Sequence, residues 1–68
     1  MNTLSHSQIR LNRLVEALQR KFLMGQENPI IAAASDEEFE TAKAVLRYRL
    51  NDDAYNMSDA EWRARFGR

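Results

Sequence analysis

Three times along the chain an apolar residue precedes a serine, and a Gln or Glu stands three positions after that serine. The instances are Leu4-Ser5 with Gln8, Ala34-Ser35 with Glu38, and Met57-Ser58 with Glu61. Each is a helix start signal. The serine oxygen accepts from an orphan backbone N–H of the first turn, the Gln or Glu accepts from the serine's own N–H, and flanking apolar residues staple the entry. One match is weak; three, each followed by apolar residues at helical spacing, predict three helices.

The first helix is expected over about 5–24, ending at Gly25, which can take the left-handed conformation that terminates helices. Leu11, Leu14, Val15, Leu18 and Phe22 form one stripe on it, with Arg10, Arg13, Arg20 and Lys21 on another face. The second is expected over about 36–50, with Phe39, Ala42, Val45, Leu46 and Leu50 facing inward. Its acidic first turn and basic last turns complement the helix dipole, and Asn51-Asp52-Asp53 breaks the pattern. The third, about 59–66 and ended by Gly67, has too few turns to be stable alone, so it must dock through Trp62 and Phe66 on one face. Between the first two, Asn28-Pro29 reads as a turn, or as a cap with proline at the first helical position. Ile30, Ile31 and the alanines at 32–34 could then form one helical turn over the core.

No strand-like alternation is evident. The expected fold is a single all-α domain over 1–68: an antiparallel hairpin of the first two helices, the third folded across it, and two such chains dimerising into a helical bundle. The dimer expectation follows from size. A chain of 68 residues buries only about 60% of its unfolded surface, and small domains offset that with disulfides, a metal or a partner subunit. There is no cysteine, and His6 is the one histidine, which excludes disulfides, thiolate sites and a two-histidine zinc site within one chain. Leu11, Val15, Leu18 and Phe22 follow coiled-coil spacing and are the candidate dimer seam; the same stripe could also serve packing within the chain.

Catalytic chemistry finds little support. Ser5-His6-Ser7 places hydroxyls beside an imidazole, but neighbours at a helix start do not face each other and no carboxylate is placed to orient the ring. Asp36, Glu37, Glu38 and Glu40 splay around one helical turn rather than converging on a cation, and Asp52-Asp53 lacks calcium-loop spacing. Gly25 and Gly67 are isolated and form no phosphate loop. The expectation is a non-enzyme with no cofactor and no metal. No apolar run approaches the roughly 18–20 residues of a membrane span, and Met1–Gln8 lacks the features of a signal peptide, so a cytoplasmic protein with no membrane contact is expected.

Ten basic and ten acidic residues cancel, yet they are segregated: residues 1–24 carry a net +3 and residues 25–46 a net −4. Such segments can attract each other within a fold or between copies. Arg10, Arg13, Arg20 and Lys21 are therefore the candidate contacts for an acidic protein surface or a phosphate backbone. The zero net charge weighs against nucleic acid. Trp62 and Phe66, with Arg63 and Arg65 beside them, are a candidate aromatic anchor for a partner, the alternative being that both rings close the core. The resulting expectation is a protein–protein interaction module, a small regulatory or accessory protein of a size that suits a bacterium or its phage, with itself and another protein as partners. The alternative is a nucleic-acid-binding regulator using the basic face of the first helix.

Overall fold

The computed structural model describes residues 5–50 and 56–67, and among these the chain is all-helical with no strand. Four helices follow in order: α1 His6–Met24, α2 Pro29–Ala33, α3 Asp36–Leu50 and α4 Asp59–Phe66. Leu4, the staple residue of the first start signal, and the Asn51-Asp52-Asp53 break lie outside the described residues.

The boundaries are where the side chains demand them. Ser5 Oγ accepts from Gln8 N–H at 3.2 Å, and Ser58 Oγ accepts from Glu61 N–H at 3.2 Å. At Ser35 the box is reciprocal: Ser35 N–H donates to Glu38 Oε1 at 3.0 Å and Glu38 N–H donates to Ser35 Oγ at 3.1 Å. Each bond satisfies a donor that the first helical turn leaves orphaned. Asn28 caps α2 by accepting from Ile30 N–H at 3.1 Å, with Pro29 at the first helical position, so the cap and not the turn is realised. Gly25, at φ 69°, closes α1: its N–H donates to the Lys21 carbonyl at 2.9 Å, the single bond of a left-handed helix end.

The core is one cluster. Leu14, Val15 and Leu18 of α1, Ile31 of α2, Phe39, Ala42 and Leu46 of α3, and Trp62 and Phe66 of α4 are all buried in it. Leu11, Phe22, Val45 and Leu50 pack on it half-buried. α2 contributes Ile31 with Ala34 just beyond its end, while Ala32 and Ala33 face solvent.

The arrangement of α1 and α3 corrects the expected antiparallel hairpin. A hairpin would set the start of α3 beside the end of α1. Instead Glu38, in the first turn of α3, is paired with Arg10 at 2.8 Å, roughly 21 Å along α1 from Met24 at 1.5 Å per residue. Toward the other end of both helices, Trp62 sits 6.4 Å from the Phe22 ring and 5.3 Å from the Arg47 guanidinium. The two helices therefore run in broadly the same direction. The connection over residues 25–35 returns along α1, with α2 packed against it. Burial of Ile31 is what makes that return favourable; a surface-running polar loop would have no reason to follow it.

Two outcomes follow for stability. Ser35→Ala should cost about 1 kcal/mol, read as a shift in the urea midpoint with unchanged slope, whereas Ser7→Ala, which removes only an exposed hydroxyl contact to the Ser5 cap at 3.2 Å, should cost less. Trp62→Ala should cost about 3–5 kcal/mol, a large share of the roughly 3–10 kcal/mol a chain of this length commands, and should leave a largely unfolded circular-dichroism spectrum at 37 °C.

Candidate functional site

The basic face of α1 is largely answered by the chain's own carboxylates. Arg10 pairs with Glu38 at 2.8 Å, Arg20 with Glu16 at 2.8 Å, and Lys21 with Glu27 at 3.1 Å. The segregated charges thus meet within the fold: two of these pairs join the basic N-terminal segment to the acidic one that follows. Arg13 differs. It is exposed, has no carboxylate partner among the described residues, and borders a shallow cleft with Glu16, Arg20, Asn28 and Ile30.

Among the described residues, Glu38 has its titration clearly moved. The Ser35 backbone N–H holds its carboxyl below the ordinary glutamate value, aided by the Ser35 hydroxyl and the Arg10 guanidinium and opposed by partial desolvation. These donors favour the charged form.

The candidate dimer seam is consumed inside one chain. Val15 and Leu18 are 1% and 0% exposed, and Leu11 and Phe22 are half-buried against the same core. Trp62 and Phe66 are 0% and 3% exposed, so both rings lie in the core. Their rings stack at 5.0 Å, Phe22 lies tilted against Trp62, and Phe39 meets Phe66 edge-on at 6.3 Å.

Cations frame this knot. Lys43 Nζ lies 5.9 Å from both the Phe39 and Trp62 rings, and Arg47 stands over Trp62 while donating to the Met57 carbonyl at 3.3 Å. From α4, Arg65 covers the Phe22 ring at 4.6 Å and donates to the Phe22 carbonyl at 3.3 Å. That carbonyl belongs to the last turn of α1, where acceptors lack helical partners. The fit is incomplete: Trp62 Nε1 and Arg47 Nε are buried with no hydrogen-bond partner among the described residues, and an unmet buried donor costs about 1–3 kcal/mol.

Sequence reasoning missed a surface. Leu23 and Met24 are 60% and 67% exposed, and Ile9 is at the edge of exposure. At 100° per residue, Ile9, Arg13, Glu16, Arg20, Leu23 and Met24 fall within about a third of the helix circumference. The signal was available, because these apolar residues lie off the inward stripe. Tyr48, on α3, is exposed as well. His6 is exposed at the start of α1, and Ser5 beside it is engaged in capping. Among the described residues no three His, Cys, Asp or Glu side chains converge as metal ligands, and no helix is long and apolar enough to cross a membrane. Comparison with family models, with curated proteins and with solved structures finds no match.

Two measurements check this account of the charges. A double-mutant cycle over Arg10→Ala and Glu38→Ala should give a small favourable coupling that shrinks in 1 M salt. Because the folded-state pKa of Glu38 is lowered, its stabilising contribution is full above the ordinary glutamate value and is lost as pH falls through the lowered one. Glu38→Gln should accordingly flatten the acid side of a stability-versus-pH curve and leave the slope near neutrality unchanged.

Proposed function

We propose that this chain is a non-enzymatic protein–protein interaction module, a small regulatory or accessory protein that works by covering a partner's surface with the outward face of α1. The observation carrying this reading is the exposure of Leu23 and Met24 on the same face as the unpaired Arg13. Exposed apolar groups beside an arginine are the composition that interfaces favour. The partner chemistry follows from the face: an apolar surface presenting a carboxylate, which the Arg13 fork can meet with two parallel hydrogen bonds.

A second copy of this chain fits the face less well. Antiparallel pairing of two α1 helices that brings Ile9 over Met24 also sets Arg13 opposite Arg20, whose own helix already pairs it with Glu16, so that copy offers Arg13 no free carboxylate there. The proposal is therefore a different, carboxylate-bearing protein. A cytoplasmic setting suits a chain that relies on no disulfide.

The test is affinity capture with the full chain as bait, in four forms: wild type, Leu23→Asp, Arg13→Glu, and Tyr48→Ala as a control on another helix. A partner retained by wild type and by the control, and lost at least tenfold with Leu23→Asp and Arg13→Glu, supports the reading. Retention indifferent to both substitutions contradicts it. Retention of duplex DNA at low salt, falling steeply as salt rises, would replace it with the nucleic-acid alternative.

A further inference from the structure

The outward face of α1 has an order along its length as well as a composition. Ile9, Arg13, Glu16, Arg20 and Leu23 follow one another at spacings of four, three, four and three, the repeat by which one helix lies along another. All five are exposed. At 100° per residue, Leu23 and Met24 fall on either side of the line through Arg13 and Arg20, so the stripe ends in a pair of apolar side chains. From Ile9 to Leu23 it runs two heptads, roughly 21 Å at 1.5 Å per residue. Apolar groups therefore stand at both ends, with two cations and one carboxylate between them.

The charges in between are not equivalent. Glu16 holds Arg20 at 2.8 Å, so of the two arginines it is Arg13 that is left to a partner's carboxylate. Arg13 also lines the shallow cleft between α1 and α2, where buried Ala17 and half-buried Ile30 supply an apolar floor. Asn28 lines the same cleft and gives its Oδ1 to the Ile30 N–H, so what its amide adds for a ligand is a donor. An acidic side chain seated here lays its methylenes on the floor and meets N–H donors with its oxygens.

We propose that the partner of this face is an amphipathic helix of another protein, lying along α1 for two heptads. It is apolar where it meets Ile9 and again where it meets Leu23 and Met24, and an Asp or Glu of it enters the α1–α2 cleft at Arg13. The inference rests on the reading of this face as protein-binding and gives its occupant a form. An extended segment suits the face poorly. The described elements are all helical, and a helix interior spends its backbone N–H and C=O groups on itself, so α1 gives an extended chain no ladder to join. A helix arrives with its own backbone bonds made. A second copy of α1 has the right length, but its one carboxylate on this face, Glu16, is already on Arg20.

The experiment measures anisotropy of fluorescein-labelled helical peptides, three heptads of alanine and glutamine, titrated with the full chain. Each peptide carries two leucines two heptads apart and one glutamate four residues from one of them, to match Leu23, Ile9 and Arg13, and is made in both sequence directions. Controls carry lysine in place of the glutamate. Neither Arg13 nor Leu23 belongs to the core, so Arg13→Glu and Leu23→Asp should keep the wild-type helical spectrum. The expected result is saturable binding of a glutamate peptide, at least about fivefold tighter than its lysine control. Arg13→Glu should reverse that preference, Leu23→Asp should weaken both peptides at least about tenfold, and Tyr48→Ala should bind as wild type does. Absence of binding by every peptide up to about millimolar concentration would overturn the proposal, as would a charge preference that ignores Arg13→Glu. If whole-protein capture is nonetheless lost with Leu23→Asp and Arg13→Glu, the face stays an interface and only its helical occupant falls. A doubling of the chain's own mass that Leu23→Asp undoes would give the face to a second copy and overturn the foreign partner.

Discussion

The burial of Trp62 is the contact on which the rest of this small structure depends. Its indole is 0% exposed where α1, α3 and α4 meet, stacked on Phe66, tilted against Phe22 and covered by Arg47. Burying a side chain of that size removes more apolar surface from water than any other single residue here can. The chain is too short to hold a core with α1 and α3 alone, and it recruits its last helix to finish the job. That arrangement uses up the apolar stripe of α1. Val15 and Leu18, which have the spacing of a coiled-coil seam, are buried among residues of the same chain.

What was legible in the sequence was local. The serine caps, Gly25, and Asn28 before Pro29 each act through bonds to residues within a few positions, so their pattern carries their geometry. The inward faces of α1 and α3 were legible for the same reason, because helical periodicity states which residues share a side. The direction of α3 was not. Residues 25–35 are long enough either to turn back at once or to run along α1, and the choice rests on Ile31 finding the core and on Arg10 meeting Glu38. Both are contacts between elements, and no spacing rule encodes them. The site suffered from the same blindness. Arg10, Arg20 and Lys21 look alike in sequence to Arg13, and only the fold shows that three of the four are already paired.

The charge layout then takes on a different meaning from the one its segregation first suggests. Exposed pairs of this kind add little stability, but they remove cations from the surface available to phosphate or to a partner. Among the described residues, Arg13 on α1 is left without a carboxylate partner, on the face that also exposes Leu23 and Met24. The Trp62 indole N–H of α4 has no hydrogen-bond partner among the described residues.

The central claim is that a single chain closes its own core around Trp62. The most direct measurement is the emission maximum and acrylamide quenching of that residue over a wide dilution series. A blue-shifted maximum and weak quenching, both constant from high to low concentration, are the predicted result. Emission that moves to the red and becomes quenchable on dilution would mean that a second chain is needed to bury the indole, and would contradict the account.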